Sequence, residues 1–351
     1  MKNRVVVVGT VGIPACYGGF ESLVENLTIY KSGSVDYTVF CSSPSYSERK
    51  EKHNDAKLIY IPLKANGWQS IPYDILSLIR CILIKPDSVL ILGVSGCLFL
   101  PFFKLLSSSK VITNIDGLEW KRDKWHWLTK RFLKLSEAFA VKYSDVVITD
   151  NKAIGDYVNS EYRKSNKTIA YGGDHALRNI LVSPSSVSYA LGLCRIEPEN
   201  NVHMILEAFS HTNDKLKFVG NWNASQFGRD LKLKYSVYEN IELLDPIYDL
   251  DELYILRKSC SVYLHGHSAG GTNPSLVEMM HFGVPILAFD CNFNRYSTDD
   301  KANYFSCSKQ LKELLINKDS YSFHKNGQDM KKLAMERYTW SEVSRLYELT
   351  Y

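Results

Sequence analysis

Short runs of β-branched and other apolar residues alternate along this chain with stretches of helical period. Arg4 to Val8 is the first such run; it ends at Gly9 and reads as the opening strand of an α/β domain. Further apolar runs at 36–41, 57–62, 88–92, 110–114, 145–149 and 167–170 predict strands of one parallel sheet. A second series follows, at 189–194, 216–220, 240–244, 261–264 and 285–289. Two such series imply two doubly wound α/β domains, with ligands at the carboxyl ends of the strands. The stretch 181–188, rich in serine with a proline among valines, predicts a linker between them. The expected organisation is therefore a first domain over 1–180, a second over 188–330, and a helix over 331–351. The helical period of that last segment runs through Leu333, Met335, Tyr338, Trp340, Val343, Leu346 and Tyr347.

A length of 351 residues suits two domains of ordinary size. With 45% hydrophobic and 23% charged residues the chain is a globular protein and not a disordered one. The net charge of +4 is too small to point to nucleic acid, so none is expected as a partner. Eight cysteines are scattered without a C-x-x-C pair, which predicts reduced thiols in a cytoplasmic protein, and neither a disulfide frame nor a zinc site. The N-terminus enters a strand directly, so no signal peptide is expected. The most hydrophobic segment, 89–106, is broken by Gly93, Gly96, Pro101 and Lys104, and predicts a strand plus a helix in place of a membrane span.

The chemistry concentrates in two loops. After the strand at 261–264 come Gly270, Gly271, Thr272 and Asn273, then Pro274 at the first turn of a helix. Thr272 or Asn273 can cap that helix, and the glycines bring bare backbone N–H groups to its N-terminus, an arrangement that receives anions. Glu278, four residues on, is placed to accept hydrogen bonds from ribose hydroxyls, or else is an ordinary glutamate favoured by the helix dipole. Gly18 and Gly19 precede another helix, starting near Glu21, where the backbone can approach phosphate or sugar; a plain tight turn is the other reading. Arg195, at the end of the strand 189–194, offers a fork for a diphosphate, or an exposed pair with Glu197 or Glu199. Residues 120–142 carry seven cations against Asp123 and Glu137, with Trp120, Trp125 and Trp127 interleaved. Such a helix lies on an anionic membrane or packs its aromatic stripe inward.

The run Gly270-Gly-Thr-Asn-Pro-Ser-Leu-Val-Glu278, followed by Phe282-Gly-Val-Pro285, resembles the donor-binding segment of the family-4 retaining glycosyltransferases of GT-B fold. Residues 9–21, 63–74 and 114–125 resemble the rhamnosyltransferase-type N-terminal domain found on some of them, so the likeness spans nearly the whole chain. It implies two Rossmann-like domains facing a central cleft, with the last helix crossing back onto the first. The implied reaction moves a sugar, in the most specific form rhamnose from dTDP-rhamnose, to a saccharide on a polyprenyl diphosphate, with retention. That is an enzyme of surface polysaccharide synthesis, cytoplasmic or peripheral on the inner face of the membrane, using no metal and no cofactor beyond the nucleotide-sugar donor. The resemblance places Gly18, Gly19, Arg195, Asn200, Tyr248, Gly271, Thr272, Asn273, Ser275, Leu276 and Glu278 at the donor. It places Tyr17, Glu119, Trp120 and Arg122 at the acceptor, and Asp116 as catalytic residue. Two positions depart from the pattern. The first of two glutamates framing the donor loop is Gly270, and a lysine five residues after Arg195 is Asn200. These departures keep open an inactive GT-B scaffold, and the fold also admits a nucleotide-sugar epimerase.

Overall fold

A computed structural model describes residues 2–16, 18–115, 120, 126–182, 188–317 and 321–351. The chain forms two compact units. The first comprises residues 1–171 with 340–351, and the second 172–339. The divisions fall at 171/172 and 339/340, where the sequence suggested 180/188 and 330/331.

The first unit holds one eight-stranded sheet. Its strands are β1 (Asn3–Val8), β2 (Val35–Ser42), β3 (Lys52–His53), β4 (Ala56–Ile61), β5 (Ser88–Leu92), β6 (Lys110–Ile115), β7 (Val146–Thr149) and β8 (Lys167–Thr168). Their order is β3-β4-β2-β1-β5-β6-β7-β8, parallel except for the short hairpin β3–β4. Val5 to Val8 and Val89 to Leu92 are buried side by side, which explains why these strands read as continuous apolar runs. The two-residue β3 left no alternating pattern in the sequence. The helix expected near Glu21 begins two residues earlier, at Gly19–Ile29.

The second unit holds a six-stranded parallel sheet: β9 (Ala190–Leu193), β10 (Leu216–Val219), β11 (Ile241–Leu244), β12 (Val262–His265), β13 (Ile286–Phe289) and β14 (Asn303–Phe305), in the order β11-β10-β9-β12-β13-β14. Its core joins Val202, Leu206 and Phe209 of one helix to Phe218, Trp222 and Leu264 of the sheet side. The Trp222 indole N–H reaches the Leu244 carbonyl at 2.9 Å, so the large ring is buried without an orphaned donor.

The single C-terminal helix of the sequence reading is two: Tyr321–Arg337 and Trp340–Glu348. The break lies at Tyr338, whose carbonyl accepts from Gly173 N–H (2.7 Å) and His281 Nε2 (3.0 Å) and so cannot continue the helical ladder. Beyond the break the chain belongs to the first unit. There Asn114 Nδ2 donates to the Tyr347 hydroxyl (2.6 Å) and Tyr351 bonds Tyr37 (2.7 Å).

Candidate functional site

Each sheet reverses its strand order once, between β1 and β5 in the first unit and between β9 and β12 in the second. At such a point the loops leaving neighbouring strands diverge, and open α/β sheets receive ligands there. In the second unit these loops are 194–201 and 266–273, and hydrogen bonds lock them together. Asn201 Nδ2 donates to Gly266 O (2.9 Å), while Ser268 N–H and Oγ both donate to Glu199 O (3.0 and 2.8 Å). Asn200, where relatives are expected to carry lysine, is buried between the loops. Its Nδ2 donates to Arg195 O and its Oδ1 faces His267 Nδ1, both at 2.7 Å. Oδ1 can only accept, so the proton sits on Nδ1 of His267. Both ends of the amide are thus engaged, Nδ2 within its own loop and Oδ1 across to the other, so the side chain expected at the donor is used in the frame of the loops.

Gly270 sits where the first glutamate of the resemblance belongs. Its φ of +113° suits glycine, and an added Cβ would stand 3.3 Å from His267 Nε2. The imidazole flanks the space a longer side chain would need to enter. Gly270→Glu, which restores the family pattern on paper, is therefore expected to weaken donor binding at least about tenfold through backbone strain. Calorimetric titration of wild type and variant with the same donor checks this; a Kd that tightens would show the glutamate fits.

The helix after this loop, Pro274–Met280, is seven residues long. Asn273 caps it: its Oδ1 accepts from Ser275 N–H (3.0 Å) and Ser275 Oγ (2.8 Å), and its carbonyl accepts from Leu276 N–H (3.1 Å). The N–H groups of Ser275 and Leu276, expected to face an anion, are taken up by this cap. Leu276 is fully buried and belongs to the core, and Thr272 is buried as well. Ser275 Oγ also lies 3.2 Å from the Tyr263 hydroxyl, which ties the helix start to β12.

Glu278 differs most from expectation. Its carboxylate is an ion-pair partner: Oε2 takes the buried Arg257 guanidinium, and Oε1 stands 3.3 Å from His175 Nε2. Burial alone would raise its pKa, but Arg257 and then His175 hold it below the ordinary glutamate value. A carboxylate so engaged has less capacity left for ribose hydroxyls than the sequence implied. Arg257 gave no sequence signal, because it lies in the last turn of the helix Leu250–Ser259 with no motif around it.

The remaining expected donor residues lie at the same edge of the second sheet. Arg195 is half-exposed and 3.6 Å from Glu197, the surface pair the sequence offered as its plainer reading. Tyr248 follows β11 and is 82% exposed. In the first unit the loop after β1 is organised by a buried acid. Glu21 Oε1 accepts from Thr10 Oγ1 (3.0 Å) and Val11 N–H (2.8 Å), and a Cβ on Gly18 (φ +139°) would collide with Oε2 at 2.0 Å. The glycine before this helix is thus required by Glu21. Gly19 stands against Tyr171, where an added Cβ would lie 3.3 Å from the hydroxyl. Trp120 is tied inward: its indole N–H donates to buried Glu137 (3.1 Å), which also accepts from Tyr157 and Tyr162 (2.6 Å each). Asp116, Tyr17, Glu119 and Arg122 lie outside the described residues. Among the described residues no group of three His, Cys, Asp or Glu side chains could hold a metal ion.

Comparison with known proteins follows the same division. Residues 2–174 match a family described as a domain of unknown function, DUF1972, and residues 175–331 match the family described as glycosyl transferases group 1. No curated protein gives a significant match. Sucrose-phosphate synthase from Thermosynechococcus elongatus superposes with TM-score 0.82 at 12% identity, covering 99% of both chains. HepE of Anabaena, solved with UDP, gives 0.75 at 12% identity over 100% of this chain and 99% of its own. A Listeria monocytogenes structure assigned as a UDP-N-acetylglucosamine 2-epimerase gives 0.65 at 13%, over 99% and 95%. These likenesses show the fold, two Rossmann-like domains of the GT-B class. With the group 1 match they support a GT-B glycosyltransferase.

Proposed function

We propose that the chain transfers a hexose or deoxyhexose from a nucleotide sugar to a hydroxyl, with retention and without a metal or further cofactor. The observation that carries this reading is the locked loop pair at the switch point of the second unit, inside the segment that matches group 1. It presents Arg195 at a strand end, where a guanidinium can grip a diphosphate and stabilise the departing charge. HepE has been solved with UDP and with UDP-glucose, which favours a nucleotide-sugar ligand for this fold. Rhamnose from dTDP-rhamnose is the donor proposed first. The acceptor proposed is a saccharide on a polyprenyl diphosphate at the inner face of the membrane, with Asp116 as catalytic group. Among the described residues no helix is long and apolar enough to cross a membrane.

Calorimetry with dTDP-rhamnose, UDP-glucose, UDP-galactose and GDP-mannose tests the reading. One donor is expected to bind, and Arg195→Ala to weaken it roughly 10–100-fold, the worth of one charge-assisted contact. Arg195 is exposed, so the variant keeps its stability. Failure of every donor to bind would overturn the proposal. Epimerase chemistry is the second reading, favoured by the Listeria neighbour: sugar returned epimerised in the absence of acceptor decides for it.

A further inference from the structure

The first unit carries an apolar surface that the transfer reaction does not use. Three helices, Ser70–Ile84, Leu100–Leu106 and Trp127–Tyr143, are neighbours in sequence order on one side of the sheet. Right-handed crossovers put all three on the face opposite the helix Gly19–Ile29. Their inner residues are core, including Tyr73, Leu78, Phe103 and Ala140. Their outer residues are also apolar: Ile79, Leu83, Phe102, Leu105, Leu106 and Trp127 face solvent, with Leu83 78% and Leu105 83% exposed. A helix that is hydrophobic on both faces has a second surface to cover.

Charge selects the occupant. The three helices contain two acidic residues, Asp74 and Glu137, and both are buried. Their other charged side chains are all cationic: Arg80, Lys104, Lys130, Arg131, Lys134 and Lys142. Lys104 and Lys134 are paired with Asp145 and Glu161 from adjoining segments, at 2.8 Å each. Arg80, Arg131 and Lys142 have no carboxylate partner among the described residues, and Arg131 stands 5.0 Å above the Trp127 ring. A second copy is a poor partner, because a two-fold contact would set this cationic face against itself. Exposed leucines and aromatics on helices whose exposed cations include three without a carboxylate partner among the described residues instead match the boundary between acyl chains and anionic headgroups.

We propose that this three-helix face docks on an anionic lipid bilayer, with Leu83, Phe102 and Leu105 entering the acyl boundary while Arg80, Arg131 and Lys142 meet the headgroups. The surface is thus wider than the basic helix singled out from the sequence, and Trp120 and Lys134 of that segment turn inward, away from it. The inference rests on the membrane placement in the proposed function, and on neither donor nor acceptor identity.

Vesicle flotation of the full chain tests it, using phosphatidylcholine alone and phosphatidylcholine mixed with phosphatidylglycerol, with no acceptor lipid present. Wild type is expected to float with the anionic vesicles only. Leu83→Gln/Phe102→Gln/Leu105→Gln should lower the partition coefficient at least about tenfold with an unchanged melting temperature. Arg80→Ala/Arg131→Ala/Lys142→Ala should lower it more, about fivefold per cation, and flatten its salt dependence. Wild type that floats with neither vesicle, or variants that float as well as wild type, would overturn the proposal. So would a wild-type dimer that binds no vesicle and is split by the glutamine substitutions, which assigns the face to a second copy. Donor calorimetry on the same preparations keeps the two readings apart: intact donor binding without flotation sinks only the membrane face.

Discussion

Glu278→Ala is expected to destabilise the second unit by about 3–5 kcal/mol, because it leaves the buried Arg257 guanidinium without its counter-charge. Removing both charges should cost far less. Arg257→Met with Glu278→Met replaces the pair by apolar side chains of similar length, and such replacements of buried pairs are often close to neutral. Denaturant unfolding of the two single variants and the double gives the coupling directly, and near-additive losses would show that the pair contributes little. Acid adds an independent readout. Glu278 has a folded pKa held below its unfolded value near 4.5, so its contribution is present above that pH and is lost as pH falls through the folded value. The double variant should lack that acid sensitivity. Donor binding then separates structure from contact. If the folded double variant still binds donor, Glu278 acts through the frame; if it does not, the carboxylate also touches the ligand.

The strands were legible because buried parallel strands carry unbroken β-branched runs, as Val5–Val8 and Val89–Leu92 do. What escaped notice was short or decided at a distance. The two-residue β3 and three-residue β14 are too brief for periodicity to register. The break at Tyr338 is invisible in a sequence whose apolar spacing runs straight through it. It is made by Gly173 and His281, far away in the chain, which claim a carbonyl the helix would have used.

The site was legible as a loop and illegible as a network. Glycines and a cap-forming Asn-Pro step announce a turn into a helix, and Asn273 does cap it. Local sequence could not show that the cap would absorb the same N–H groups offered to an anion. Nor could it show that Asn200 would use both ends of its amide between Arg195 and His267, or that Arg257 would meet Glu278. The contacts of Asn200 with His267 and of Arg257 with Glu278 cross 67 and 21 residues of chain, and burial obliges such pairing without leaving a pattern. The two departures from the resemblance fit one local account. Asn200 holds His267 by Nδ1, and His267 stands beside the position of the missing glutamate at Gly270.

Asp74→Asn is expected to remove a pH dependence from the stability of the first unit and to raise its stability at neutral and alkaline pH. Asp74 lies on the inner side of the helix Ser70–Ile84, so close to Gly96 that a Cβ there would stand 2.4 Å from its own. One carboxyl oxygen accepts from the Gly96 N–H, while Oδ1 finds no partner among the described residues. Burial outweighs that hydrogen bond and pushes the pKa up to about 8. The neutral acid is therefore the form that fits the fold. Its folded pKa lies above the unfolded one, so the contribution is fully present below the unfolded value of 3.8 and is lost as pH rises towards about 8. Across that window the slope approaches ~1 kcal/mol per pH unit, which for a unit of this size is roughly 2–4 °C of melting temperature. Asparagine keeps an acceptor for Gly96 and has nothing to ionise, so the difference between variant and wild type should grow steadily as pH increases. Melting curves that run parallel for the two proteins from about pH 5 to pH 8 would mean that Asp74 is already ionised in the fold. Its burial would then have to be met by a cation or water at Oδ1.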